Sequence, residues 1–257
     1  MATPLAVLRL QVENELRGRV PAPFTYRDRN VFEVVSSGVP EIDRMVGGLP
    51  RGAMTEIYGP PCSGRTSLLI SALASRTVRE EVCALIDAQD SFDPQTAEAA
   101  GVLLKQLLWV RCRNLDQALH ATDLLIQSGG FSMVVVDLSA VVAKTVRQVP
   151  LNAWFRFRRA VEGTPTILMV LGQESNAKTC ASLVLRLEAK RTRWSKPLRE
   201  DAAEWRWPFA RLLQGFSIQA EVIRSRLQHN VVAFPTPEGT VADGARPIFE
   251  TRTMWSD

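Results

Sequence analysis

No stretch of the 257-residue sequence approaches the roughly 18 consecutive apolar residues that a membrane-spanning helix needs, so no span is expected. Residues 1–16 lack the apolar centre of a secretory leader, and a cytoplasmic location is expected. Cysteine is scarce: Cys62, Cys83, Cys112 and Cys180 lie far apart with no Cys-x-x-Cys pair. That excludes the usual spacing of a structural zinc site and points to a reducing compartment. A strong excess of either charge is also lacking, since 31 Lys and Arg stand against 27 Asp and Glu. The net charge is +4, a basic excess that permits a nucleic-acid partner without requiring one. Length and a hydrophobic content of 46% suit one α/β domain with extensions.

What is present centres on eight residues: Gly59, Pro60, Pro61, Cys62, Ser63, Gly64, Arg65 and Thr66. They form a phosphate-loop pattern in which arginine stands where lysine is usual. The apolar run Met54–Tyr58 before it and the helix-like run Ser67–Ala74 after it supply the strand–loop–helix setting that the pattern requires. In such a loop, successive backbone N–H groups and the positive end of the following helix hold a triphosphate, and the Thr66 hydroxyl is placed for Mg²⁺. A guanidinium is longer and planar and prefers a two-point grip, so nucleotide binding with slow or absent hydrolysis is expected.

Further apolar runs at 82–87, 107–110 and 133–137 alternate with a helical pattern at 115–127, which predicts a parallel, doubly wound sheet flanked by helices. The run 133–137 ends in Asp137, a carboxylate for Mg²⁺ if its strand neighbours that of the phosphate loop. Residues 31–35 read as a strand followed by a helix with a serine cap. At the N-terminus, Leu5, Leu8, Val12 and Leu16 form a one-sided helical stripe that ends at Pro21-Ala22-Pro23. The stripe must be buried either on its own domain or on a neighbouring subunit.

Ser37-Gly38-Val39-Pro40-Glu41-Ile42-Asp43, Gly47-Gly48-Leu49-Pro50-Arg51-Gly52, Glu56-Ile57-Tyr58-Gly59-Pro60, Leu85-Ile86-Asp87-Ala88-Gln89, Asp93-Pro94 and Ala100-Gly101-Val102 appear in an order that resembles the RecA recombinase core. The resemblance extends over most of residues 1 to 232. It implies a RecA-like P-loop NTPase core at 31–232, an N-terminal oligomerisation helix and linker at 1–30, and a C-terminal tail at 233–257. It also implies ATP and Mg²⁺ as cofactors, with Thr66 and Asp137 on the metal and Asp93 beside the adenine. Gln89 stands where the family has the glutamate that positions the attacking water. An amide cannot act as a carboxylate base, so efficient ATPase activity is not expected. Thr96 replaces a base-stacking tyrosine, and Gln173 matches the glutamine that senses the γ-phosphate. The second DNA-binding loop is mostly missing, with only 174–180 left before the next strand. Arg224 and Arg226 match a lysine pair that reaches the nucleotide of the next subunit, and the N-terminal stripe matches the family's packing segment.

Two basic segments leave alternatives open. Trp154-Phe155-Arg156-Phe157-Arg158-Arg159 suits a helix with buried aromatics and solvated arginines, or contact with phosphate and bases. Arg191, Arg193 and Lys196, past the shortened loop, suit turn-borne contacts to a DNA backbone or a solvated hairpin. Trp205–Phe209 is either core filling or a partner anchor. A short chain with an altered phosphate loop and reduced DNA loops looks most like the ImuA branch. That likeness implies an accessory role in damage-induced mutagenesis, in contact with RecA, a second copy, a translesion polymerase complex or single-stranded DNA. The alternatives are an active DNA-dependent ATPase or recombinase, and a regulatory nucleotide-binding ATPase outside DNA repair.

Overall fold

The computed structural model describes residues 32–194, 213–227 and 248–252. The chain divides into units 1–31 and 32–257, and every described residue belongs to the second. Leu5, Leu8, Val12, Leu16, Lys196 and the 205–209 segment lie outside the described residues.

A short ribbon opens the unit, with β1 (Val34–Val35) paired antiparallel to β2 (Leu49–Pro50) and α1 (Pro40–Val46) between them. No serine caps α1. Val39 is the N-cap and Pro40, whose fixed φ suits a first helical position, sets the start. The expected serines instead hold Asp43: Ser36 Oγ donates at 2.6 Å and the Ser37 N–H at 2.8 Å.

The main elements follow as β3 (Ala53–Tyr58), α2 (Arg65–Thr77), β4 (Cys83–Asp87), α3 (Pro94–Ala99), β5 (Leu107–Arg111), α4 (Leu115–Ser128), β6 (Met133–Asp137), α5 (Ala143–Arg147), α6 (Leu151–Val161), β7 (Ile167–Gly172), β8 (Leu183–Trp194), β9 (Leu213–Ser225) and β10 (Ile248–Arg252). They build an eight-stranded sheet in the order β10-β9-β8-β3-β7-β6-β4-β5. Pairing is parallel from β8 to β5, and β9 and β10 add antiparallel. This is the mostly parallel, helix-flanked α/β sheet that the alternating runs predict.

Strands β4, β6 and β7 are buried along their whole length because helices cover both faces. Ile57, Leu85, Val135 and Met169 face Leu68, Leu69 and Leu73 of α2 on one side. On the other, Met54, Ile86, Val136 and Leu168 face Trp154, Phe157 and Val161 of α6. The aromatics of the 154–159 segment are therefore core residues, apart from the exposed Phe155. Residues 248–252, expected within a tail, are a sheet strand, and Phe249 is buried against the α2 side.

At the amino end of the strands, a charge cluster closes the sheet. Arg76, 1% exposed, meets Glu81 at 3.5 Å, and Arg51 meets the same carboxylate at 3.1 Å. Burial pushes the Glu81 carboxyl up, but the Ser132 hydroxyl, Arg51 and Arg76 outweigh it and hold it below the usual carboxylate range. A lowered folded value means that Glu81 contributes stability above its unfolded pKa and loses that contribution as pH falls through the folded one. Glu81→Gln should therefore cost about 2–3 kcal/mol in urea unfolding at neutral pH, because Arg76 is left buried without its counter-charge. The gap from wild type should close as the pH drops below the carboxylate range; a constant gap would assign the loss to packing.

Candidate functional site

The phosphate-loop segment leaves the carboxyl end of β3 and delivers the chain to α2. Two tight positions shape it: Cys62 at φ 60° and Gly64 at φ 87°. Alternating backbone handedness of this kind turns successive N–H groups inward, and Gly takes it without strain. A Cβ on Gly59 would lie 2.2 Å from the Leu187 carbonyl, and one on Gly64 would lie 2.0 Å from Ile218 Cδ1. Strands β8 and β9 therefore press directly on the loop. Ser63 Oγ is buried in it with no hydrogen-bond partner, while Pro60, Pro61, Cys62 and Thr66 are exposed.

Arg65 is the anomaly of the sequence and of the structure. It is 7% exposed, and its Nη1 donates to the Gly172 carbonyl at 2.6 Å. The same carbonyl accepts the Gly59 N–H at 3.3 Å, so loop entry and loop cation share one acceptor at the end of β7. Burial pulls the guanidinium below its ordinary range, and attraction to Asp137 and Cys62 partly restores it. A partly uncompensated buried cation and an unpartnered buried hydroxyl are what a phosphate group would satisfy, and the residues of this loop fit one.

Asp137 ends β6, and β6 does not neighbour β3. Strand β7 intervenes, because two parallel strands can be joined through a crossover that leaves room for a third. Asp137 nevertheless comes within electrostatic reach of Arg65. Burial raises its carboxyl above the usual range, the Ser139 hydroxyl and N–H lower it, Asp87 raises it and Arg65 lowers it. Thr66 at the first turn of α2 and Asp137 are hard oxygen donors of the kind that hold Mg²⁺.

Asp87 sits beside Asp137 in register, but its carboxylate is used locally. It accepts from the Phe92 N–H at 2.8 Å and the Gln89 N–H at 3.2 Å, which fixes the turn where Gln89 is exposed. Asp93 is likewise committed: it caps α3 by accepting from Gln95 and Thr96 N–H and from the Thr96 hydroxyl. Thr96 lines a cavity of about 350 Å³ with Gly38, Val39, Ser67, Ile70 and Phe249, on the α2 side of the loop.

Gln173 Nε2 donates to the Ser139 and Val141 carbonyls at 3.1 and 3.3 Å. Beyond it, the shortened segment is fastened from every side. Glu56, 1% exposed on β3, accepts from Asn176 N–H at 2.6 Å, Ser175 Oγ at 2.7 Å and Ala177 N–H at 2.8 Å. Arg147 pairs with Glu174. Arg226 donates to the Thr179 carbonyl at 2.9 Å and Arg224 to the Lys178 carbonyl, so both are engaged within their own chain. Burial lowers the Arg226 guanidinium, and Arg158 and Arg224 lower it further. Glu56 is legible in the sequence only as part of a resemblance. Its local signal is a carboxylate inside a strand buried on both faces, which must find donors.

Arg191 and Arg193 lie within β8 rather than in a turn, opposite Ser217 and Gly215, because β8 runs seven residues past Leu187 by pairing with β9. Arg191 is exposed and Arg193 half-buried. Among the described residues no helix is long and apolar enough to cross a membrane. A family model described as the RecA N-terminal domain matches residues 22–149, which include the loop, Gln89, Asp93 and Asp137.

Replacing Glu56 with Ala should remove the acceptor of three donors and cost about 2–4 kcal/mol of stability, with faster amide exchange at Asn176 and Ala177. Glu56→Gln keeps an acceptor oxygen and should lose less. Unchanged exchange at these two amides in Glu56→Ala would show that the segment is held without the carboxylate.

Proposed function

The chain is a member of the RecA-fold superfamily, and from that premise we propose that it is an accessory protein of DNA repair that binds nucleotide as a switch or structural ligand rather than as fuel. RecA-family proteins work in a DNA-repair and nucleotide-binding context, typically with ATP and Mg²⁺, and typically self-associate or bind DNA. The observation that carries the reading is Arg65, buried in the phosphate loop and bonded to the Gly172 carbonyl. A buried guanidinium anchored to the chain is poorly placed to follow charge as it develops on a transferring phosphoryl group.

Two further features support slow or absent turnover. Gln89 offers an amide where a base would act, and Asp87 beside it is occupied in holding the turn. The residues after Gln173 form a fastened strap instead of a loop free to wrap DNA. In this reading Thr66 and Asp137 hold Mg²⁺, which neutralises charge on the phosphates, while the Arg65 side chain and the loop N–H groups orient them. The finer role is damage-induced mutagenesis in the manner of ImuA. Its partner is another RecA-fold subunit, a second copy or RecA itself, or a translesion polymerase complex. Single-stranded DNA contact falls to Arg191, Arg193 and Lys196.

Steady-state ATP turnover with and without single-stranded DNA tests the central claim. Turnover should be at least about a hundredfold below that of the Arg65→Lys, Gln89→Glu double variant, the usual effect of losing one transition-state contact. DNA-stimulated turnover of about one per second or more in the wild type would establish the active-ATPase reading instead. For the partner, deletion of residues 1–20 should abolish self-association or RecA binding and leave the melting temperature of the core unchanged, since the stripe Leu5, Leu8, Val12 and Leu16 is then an interface. A lowered melting temperature with unchanged association would place the stripe on its own domain.

A further inference from the structure

The nucleotide reading leaves open which nucleotide the loop prefers, and the two ends of the site differ. On the α2 side, the cavity of about 350 Å³ lined by Ser67, Ile70, Ser71 and Thr96 would take a base and sugar. A ligand seated there would lie beside α2 and would bring a phosphate to the loop, which offers the helix amino terminus, the backbone N–H groups and the unpartnered Ser63 hydroxyl. Past the loop, toward the ends of β6 and β7, a further phosphate would enter the ground that the chain already fills with Arg65. Its guanidinium is bonded to Gly172 and attracted by Asp137 of β6.

We propose that the phosphate loop is built for a nucleoside diphosphate in preference to a triphosphate, with Arg65 as the residue that sets the limit. Lysine presents a single point of charge that fits between two phosphates and can move without breaking a fixed plane. Arginine here commits Nη1 to a backbone carbonyl and leaves Nη2 and Nε as donors for one phosphate group. The second phosphate of a diphosphate, seated in the loop, meets that edge in the two-point geometry a guanidinium favours. A third phosphate must displace the guanidinium from Gly172, and a buried charge-assisted hydrogen bond breaks to admit it. The loop cannot retreat to make room, because Leu187 and Ile218 close its other side at Gly59 and Gly64.

This inference rests on nucleotide binding, and calorimetric titration of the full chain with ADP and with a non-hydrolysable ATP analogue separates the two claims. ADP should bind roughly tenfold to a hundredfold more tightly, the range expected for one hydrogen bond to a charged group. Arg65→Lys should shrink that ratio to within a few-fold or invert it. Equal or tighter binding of the ATP analogue by the wild type overturns the diphosphate preference and leaves nucleotide binding standing. A ratio unchanged by Arg65→Lys removes Arg65 as its cause. No heat with either ligand at millimolar concentration overturns the nucleotide reading as well. If the variant fails to fold, the wild-type ratio alone decides.

Discussion

A single backbone carbonyl, that of Gly172, determines how the phosphate loop sits on the sheet. It accepts the Gly59 N–H and the Arg65 guanidinium together, and it belongs to the strand that separates β3 from β6. Buried carbonyls have two lone pairs and are stable when both are used. Here the two donors are the first residue of the loop and the cation at its end. That shared acceptor ties the start of the loop and the first residue of α2 to the end of β7. A lysine in place of Arg65 would meet the carbonyl with a rotatable ammonium instead of a planar guanidinium.

Charge is distributed accordingly. Three carboxylates face the carboxyl end and interior of the sheet, each with a different task. Asp87 holds a turn, Glu56 fastens a segment, and Asp137, the desolvated candidate metal residue, stands opposite Arg65. Only the last is arranged toward the loop cation. Asp93, placed near an adenine by resemblance, caps the amino terminus of α3 with both oxygens and stays exposed, three residues before Thr96 of the cavity wall.

Much of this is legible in the residues. Continuous apolar runs ending at Asp87, Asp137 and Gly172 mark strands covered on both faces, and the phosphate-loop pattern marks the turn between β3 and α2. What escapes depends on contacts between residues far apart in the chain. The strand order that places β7 between β3 and β6 has no local sign, because each strand looks the same to its own helix. The Arg191 and Arg193 stretch reads as turn-borne or as part of a solvated hairpin, since its alternation is polar on both sides; antiparallel pairing with β9, with an irregularity between Ala189 and Arg191, makes it a strand. Residues 248–252 are too few to show a period, and the partner strand supplies the rest. The bonds of Arg224 and Arg226 to the carbonyls of Lys178 and Thr179 likewise join residues more than forty positions apart and have no local sign.

The strap held by Glu56 has a thermodynamic side. A flexible nucleic-acid loop gives up backbone freedom of about 1–2 kcal/mol per residue when it orders on a ligand, and that loss appears as unfavourable entropy and slow, condition-dependent binding. Residues 175–177 have already surrendered it to one carboxylate during folding. Whatever touches this part of the molecule meets a surface of fixed shape, so its selectivity comes from fit at first encounter and little from rearrangement afterwards.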